Sequence, residues 1–415
     1  MSDLKFSLIT PTHKLNRQYL LELYQSIKEQ TYKNWEWVLF LNGSVNEEDV
    51  PRDIQLDPRV SISHDYSLGD KVGAIKNAAF SLGDGDILVE VDHDDLLTEN
   101  CLLELNGAFQ DPEVGFAYSD NAVLHMTDNF IPYNPAFGWT HREFEWKGRK
   151  LTAMRSFEPT SHALSFIWYA PDHVRAWRKD VYYGIGGHNP ELSVCDDHEL
   201  MIRTYLKTKM HHVDEVLYIY RVTGENTWLE RNQLIQETTV QLGYQYAQQL
   251  AERDADLRGL KKVDIGGGLY PRPGYLTIDQ EGADIVWDLN QGIPLPDHSV
   301  GVLNASHVIE HLKDPLKTMR EIHRVLAHGG WAFIEVPSTD GRGAFQDPTH
   351  VSFWNENSFW YYTKQQQAQF IRNTEIRFQN FRLDTVWWDN QIAVTNAWLV
   401  ANKQGGERLP HLLEI

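Results

Sequence analysis

FSLITPTHKLNRQYLLELYQSIKEQTYKNWEWVLFLNGS, residues 6–44, decides the fold class. Phe6–Thr10 is a short apolar run that stops at Pro11-Thr12, and Trp35–Leu41 is a second that stops at Asn42-Gly43-Ser44. Between them Leu20, Leu21, Leu23, Tyr24 and Ile27 recur at helical spacing. Strand, helix and strand in that order form a βαβ start, whose crossover makes the two strands parallel. Such units build a doubly wound, mostly parallel sheet with helices on both faces. Ligands of such sheets gather at the carboxyl ends of the strands, which places Thr12 and Asn42 at a binding edge.

A third strand, Asp86–Val91 (DILVEV), runs straight into Asp92-His93-Asp94-Asp95. Three carboxylates within four residues at the end of a buried strand repel one another. A divalent cation relieves that repulsion, and carboxylate oxygens suit Mg2+ or Mn2+. An ion held there bridges to a diphosphate and steadies its charge as it departs. The same acids also suit an acidic turn, or the N-cap of a helix over Leu96–Leu105. The position directly after a buried strand favours the cation.

The pattern restarts further along. Arg231–Arg258 has no proline and a single glycine, Gly243; it reads as a long connecting helix with Leu234, Ile235, Val240, Leu242, Tyr246 and Leu250 roughly on one face. Lys262–Gly268 (KVDIGGG) then opens a second series of strand, glycine-rich turn and helix. Glycine lets the backbone approach a ligand, and a helix N-terminus favours negative charge. Tyr275–Ile278 ends at Asp279, an acid placed to pair with ribose hydroxyls. Asp284–Trp287 ends at Asp288, and Val300–Asn304 leads into Ser306–His311 (SHVIEH). A helix over Leu316–Leu326 runs into Ala327–Gly330 and the strand Trp331–Val336. The expected organisation is a first α/β domain over 1–230, a connecting helix over 231–258, a second α/β domain over 259–402 and a loose tail over 403–415.

Residues 6–44, Gly73–Asn77 (GAIKN) and VDHDD together resemble the nucleotide-sugar half of the family-2 glycosyltransferases, which have the GT-A fold, over roughly residues 5–230. The resemblance implies that Pro11, Thr12 and Asn42 line the base and ribose pocket and that Lys76 sits near the diphosphate. It implies too that Asp92 contacts the ribose or the metal and that Asp94 ligates the cation. Many relatives carry Asp where this chain has Asn42. Gly186–Asn189 followed by Asp196–Arg203 (DDHELMIR) resembles a GGF…EDxxLxxR stretch that supplies the catalytic base. Matching Leu200 and Arg203 puts Asp197 in the base position with Asp196 as its neighbour. An inverting transfer needs one carboxylate to take the acceptor hydroxyl proton, and a second acid beside it raises its pKa. Tyr220-Arg221 with Gly224–Thr227 resembles a closing YRxxxxNT stretch, which implies contact between Arg221 and donor phosphates. Trp139, Trp146, Trp168 and Trp177 lie between these motifs, as an aromatic acceptor groove or as core.

The second series resembles the small class I methyltransferases that use S-adenosylmethionine, with a Rossmann-like fold, over roughly residues 259–402. Asp264/Gly266/Gly268, Asp279, His307–Leu312 and Arg324–Gly330 match DxGxG, the second-strand acid, HVxEHL and RVLxxGG. Pro271-Arg272-Pro273 stands where a helix usually starts. The resemblance implies that Asp264 and Gly266 (with Gly268 in the same turn) face the methionine part, Asp279 the ribose and Asp288 the adenine, with His307 at the cleft floor. Asp347–His350 (DPTH) resembles a turn after the fifth strand, where His350 acts as a base, orients an acceptor, or only braces the loop. His307, His311 and Glu310 raise the question of a metal site, since the histidines are four residues apart like a zinc pair, but HExxH is not matched because Glu310 precedes the second histidine, so no metal is expected there.

At 415 residues, 42% hydrophobic and 23% charged, the chain has the composition of a globular protein of two domains. No apolar run reaches membrane-spanning length and no secretion signal is evident, which leads to an expected cytoplasmic location. Cys101 and Cys195 are too few for a disulfide framework or a structural zinc site. The net charge is −20, with 24 basic and 40 acidic side chains in residues 1–258 and 14 and 18 thereafter. That balance repels polyphosphate backbones, so nucleic acid is not an expected partner. A nucleoside-diphosphate sugar and a glycan acceptor are, with S-adenosylmethionine and Mn2+ or Mg2+ as cofactors. Two rivals stand beside a bifunctional enzyme: a methyltransferase with a non-catalytic glycan-binding first domain, and a non-catalytic scaffold in polysaccharide assembly.

Overall fold

A computed structural model describes residues 3–126, 133–135, 138–224, 230–403 and 405–406. The chain forms two compact units, Met1–Tyr246 and Ala247–Ile415. Among the described residues no helix is long and apolar enough to cross a membrane. The Glu225–Thr227 part of the closing stretch, and the tail from 407 onward, lie outside the described residues.

In the first unit β1 (Phe6–Thr12), β2 (Trp35–Leu41), β3 (Val60–His64) and β4 (Ile87–Glu90) are parallel neighbours in the order β3-β2-β1-β4. Helix α1 (Arg17–Lys28) makes the first crossover, and Asn16 caps it by accepting from the amides of Gln18 and Tyr19. Its apolar stripe of Leu20, Leu23, Tyr24 and Ile27 is buried, each such side chain contributing about 1.5–3 kcal/mol of hydrophobic stabilisation. The sheet continues through β5 (Leu96–Leu97), β6 (Val114–His125), β9 (Arg175–Arg178) and β10 (Lys209–Val222), with the hairpin β7 (His141–Trp146) and β8 (Arg149–Met154) attached to β6. β9 runs antiparallel to both β4 and β6, whereas β6 and β10 are parallel. The sheet is therefore mixed, with its parallel half first. Helices α2 (Val72–Phe80), α3 (Cys101–Ala108) and α4 (Asp196–Lys207) pack in this unit.

The helix expected over Leu96–Leu105 starts later. Leu96 and Leu97 instead pair with Ile219 and Tyr218 as strand β5, which buries both leucines, and α3 begins at Cys101. Asp92–Asp95 is a turn, closed by the Asp95 amide on the Asp92 carbonyl, so the acidic run caps no helix. Two of the four tryptophans weighed for an acceptor groove are core. Trp177 is fully buried and donates to Thr204, and Trp139 stacks on Tyr169.

Helix α5 (Asn232–Leu257) runs from the first unit into the second. The second unit has strands β11 (Lys261–Ile265), β12 (Leu276–Asp279), β13 (Ile285–Val286), β14 (Val300–Ser306), β15 (Leu326–Pro337), β16 (Arg377–Trp387) and β17 (Ala393–Asn402). They lie in the order β13-β12-β11-β14-β15-β17-β16, parallel as far as β15, with β17 antiparallel to both its neighbours. Helix α6 (Pro315–Val325) supplies the crossover into β15, with Asp314 capping it and Thr318, Met319, Ile322 and Val325 buried. The helix expected after the glycine turn is absent: Gly266–Gly274 is an irregular loop. Pro271 and Pro273 fix φ and lack amide donors, and Gly274 takes a positive φ of 80°, so a helix has no start there.

Candidate active sites

In the first unit the ends of β1, β2 and β4 meet. Thr12 and Asn42 are buried, and the Asn42 amide donates to the Thr12 carbonyl at 2.8 Å. The Asn42 side-chain Nδ2 is buried without an acceptor. Beside them the Asp92 carboxylate lies 3.8 Å from His173 Nε2 and is 37% exposed, while Asp94 is 26% exposed. Burial, joined by the charge of Asp92, holds the Asp94 carboxyl above its ordinary range. Asp95 is pushed higher still by burial and by both neighbours, and it accepts the Arg221 amide at 2.7 Å. Three acids thus press on one another at the sheet rim, and the two outer ones remain partly open. That donor set fits a hard divalent cation.

Arg221 itself is buried and turned to the protein. Its guanidinium donates to the Asp94 carbonyl and to Glu22 at 2.8 Å, and it lies over the Tyr19 ring. These contacts tie Arg221 to the Asp94 turn. Lys76, on α2, is drawn inward as well, with its ammonium 2.6 Å from Glu90 and 3.4 Å from Asp196.

The second cluster sits at the start of α4. Arg203 explains the spacing of its motif, since its guanidinium donates to Glu199, to the Gly187 carbonyl at 2.7 Å and to the Ile185 carbonyl. One side chain thereby clamps the glycine turn against the helix that carries the acids. Gly187 has a φ of 63°, and a Cβ there would meet the Tyr182 ring at 2.9 Å, so the turn requires glycine. Asp197 is 19% exposed and 2.7 Å from Arg175. Asp196 is 5% exposed, between Lys76 and His188. Burial pushes the Asp196 carboxyl up to about 6, with Lys76 opposing and Asp197 adding. The same burial acts on Asp197, but Arg175 and Lys76 outweigh it and hold that carboxyl down at about 2. Glu90, fully buried, completes the network 3.6 Å from Arg175. Two cations therefore face three carboxylates.

Glu90 and Arg175 were not among the residues singled out from the sequence. Their signal was a lone acid inside the apolar run Ile87–Val91, and a basic residue on a short strand, Arg175-Ala176-Trp177-Arg178.

In the second unit the loop after β11 wraps around Asp279. The Gly268 amide donates to Asp279 Oδ2 at 3.0 Å. A Cβ on Gly268 would meet the Glu281 carbonyl at 2.2 Å, and one on Gly266 the Val308 side chain at 2.7 Å. Asp264 is buried, and burial raises its carboxyl above the usual range. Its register partner on β14, Asn304, is 4% exposed with neither side-chain atom hydrogen-bonded. Backbone that tolerates no side chain, beside acids and an unpaired buried amide, fits a polar, ribose-bearing ligand such as S-adenosylmethionine. Asp288 caps the short turn Leu289–Gln291 by accepting from the Asn290 amide at 2.9 Å. His307 follows β14 with a φ of 53°, half exposed, 3.1 Å from Glu335 and 3.7 Å from Glu310. Those two carboxylates push its imidazole up to about 9. His350 donates from Nδ1 to the Ala344 carbonyl at 2.9 Å.

Comparison with known proteins bears on both halves. The model for "Glycosyl transferase family 2" matches residues 7–166, and that for "Methyltransferase domain" matches 276–334. Glycosyltransferase GlyG of Streptococcus pneumoniae is 31% identical over 224 residues, which are 53% of this chain and 71% of that protein. O-antigen biosynthesis protein RfbC of Myxococcus xanthus is 25% identical over 217 residues, 51% of this chain but 15% of its own length. The chain spans less than a quarter of the length of the long curated relatives it matches. The solved structure of S. aureus TarS 1-349 in complex with UDP-GlcNAc shares 15% identity, with 65% of this chain and 76% of that one covered at a TM-score of 0.42.

Proposed function

The chain belongs to glycosyl transferase family 2 and carries a methyltransferase domain behind it, and on that premise we propose an enzyme with two successive transfer activities. The first unit moves a sugar, with inversion, from a nucleoside-diphosphate donor to a glycan hydroxyl. The observation that carries this reading is the pairing of two acid clusters in one sheet unit. Asp92 and Asp94 form an open, mutually repelling pair at the rim, and Asp197 is a charged, partly exposed carboxylate held in place by Arg175.

Pro11, Thr12 and Asn42 hold the base and ribose, the unpaired Asn42 Nδ2 offering a donor. Asp92 and Asp94 would hold a divalent ion, which supplies positive charge beside the departing diphosphate when bound. Asp197 takes the acceptor hydroxyl proton, while Arg175 and Lys76 keep that carboxylate ionised. The test is a thermal-shift screen of nucleotide sugars with and without Mn2+. One donor should raise the melting temperature in a Mn2+-dependent way, because ligands that bind the native state stabilise it. Asp94→Ala should abolish that dependence. If Asp94→Ala and Asp197→Ala both leave every activity intact, the first unit is a binding module and the proposal fails.

The second unit transfers a methyl group to a hydroxyl or carboxyl of a glycan, with S-adenosylmethionine supplying that group when bound. Asp279 accepts from the ribose hydroxyls, the Gly266–Gly268 backbone and Asp264 receive the methionine end, and Asn304 offers its unpaired amide. Methyl transfer depends on in-line positioning, so the rigidity of this loop matters more than a base. Asp279→Asn removes a charged acceptor worth about 1.5–3 kcal/mol. Calorimetry should therefore show S-adenosylmethionine affinity falling by roughly tenfold to a hundredfold. An unchanged affinity would place the ribose elsewhere. One chain holding both activities raises the local concentration of the first product for the second step. Purified enzyme that methylates nothing its own first unit has made would remove that coupling.

A further inference from the structure

We propose that Glu310, His311 and His350 form a binding site for a divalent transition-metal ion in the second unit, separate from the carboxylates Asp92 and Asp94. The three offer one carboxylate oxygen and two ring nitrogens that all lie within 4.8 Å of one another. The fold divides the histidines of Ser306–His311 differently from their spacing in sequence. His307 leaves β14 toward Glu335, and the turn Ile309–His311 brings Glu310 and His311 against the loop that carries His350.

The hydrogen bonds fix which atoms are free. His350 Nδ1 faces the Ala344 carbonyl at 2.9 Å, an oxygen that only accepts, so Nδ1 carries the proton and Nε2 keeps its lone pair. His311 Nδ1 faces the Thr349 carbonyl at 3.2 Å and the Thr349 hydroxyl at 3.1 Å. That hydroxyl already donates to Asp347 at 2.6 Å, so it too accepts from His311, whose Nε2 is left unprotonated. A backbone carbonyl on the far ring nitrogen is the arrangement that orients an imidazole for a metal. Beside the two rings, which meet edge to face, lies Glu310, 2% exposed, with neither carboxylate oxygen accepting a hydrogen bond. Its basic side-chain neighbours are His307, with Nδ1 at 3.7 Å, and His350, with Nε2 at 3.9 Å.

Two atoms bound to one ion at about 2.1 Å stand roughly 3–4 Å apart, so small side-chain rotations close the set. Asp347, 3.9 Å from His350 and 45% exposed, stands on the open side. Two imidazoles and one carboxylate with a position left for water or a substrate oxygen are a borderline donor set, suited to Zn2+ or Co2+ rather than Mg2+. The other grouping of this kind among the described residues, Asp120, His212 and Asp214, is already neutralised. Asp120 is bonded to His212 at 2.8 Å, to Arg142 at 2.5 Å and to the Ser156 amide.

The experiment is metal titration of the full-length protein, stripped with a chelator and then freed of it. Zn2+ is titrated against a chromophoric competitor, and Co2+ is followed by its visible absorption. One equivalent should bind in a way that survives Asp94→Ala, and His311→Ala and His350→Ala should each weaken that binding by more than about a hundredfold, because losing a ligand costs more than losing its hydrogen-bonded support. Glu310→Gln preserves shape and should also weaken it, while Asp94→Ala and His307→Ala should not. Circular dichroism of each variant in chelator confirms the fold, which His311, at the surface, does not hold together. Absence of stoichiometric binding, or wild-type affinity in both histidine variants, overturns the proposal. So does loss of binding only in His212→Ala or only in Asp94→Ala.

Discussion

Asp197→Asn should lower the turnover of sugar transfer by about 10²–10⁴-fold, the range a positioned general base supplies, with little change in donor affinity. The choice between the two adjacent acids rests on what surrounds each. Asp196 is nearly closed off and held by Lys76, and its carboxyl is raised to about 6 by burial, so near neutrality it is partly protonated. Asp197 is more open, and Arg175 fixes one of its oxygens. Its low pKa makes it a weaker base than an isolated carboxylate but keeps it ionised across the working range. The acceptor proton leaves as the glycosidic bond forms, when the hydroxyl is already turning acidic, so a charged and oriented oxygen is what the step needs. Steady-state kinetics of both Asn variants decide the matter. A large loss for Asp196→Asn with Asp197→Asn nearly active would exchange the two roles.

The parallel core of each unit was legible because apolar runs, helical spacing and strand-end motifs are local properties. Thr12, Asn42 and the Asp92–Asp95 run could be placed at strand ends from their neighbours alone, and β1, β2 and β4 indeed lie side by side. Leu96-Leu97 could not be read as a strand because its partner strand lies about 120 residues away, and cross-sheet pairing rather than a helix start follows the acidic turn. The protein partners of Lys76 and Arg221 were hidden in a similar way. A basic residue near a phosphate-binding motif points to the ligand, and nothing local to it announces the carboxylates or carbonyls that each also meets. The metal-type grouping in the second unit was hidden for the opposite reason. Its spacing argued against a metal on a helix, whereas the residues lie on a turn and a loop that only the fold brings together.

Arg175→Met should be the most destabilising single change in the first unit. Arg175 is 1% exposed and shields Asp197 at 2.7 Å and Glu90 at 3.6 Å. Methionine fills much of the volume but leaves three carboxylates facing Lys76 alone. Breaking a buried ion pair by removing one partner typically costs about 3–5 kcal/mol, because the remaining charge stays desolvated. Denaturant unfolding should show the first unit's transition moving by that amount. Adding Asp197→Asn to the same chain should restore part of the loss, since it removes one of the charges left unpaired. That recovery separates the electrostatic account from a simple packing defect, which a second substitution nearby would worsen. A loss below about 1 kcal/mol would mean that water reaches the cluster and screens it as it does an exposed pair. Asp197 would then lose the fixed, dry partner on which its orientation as a base depends.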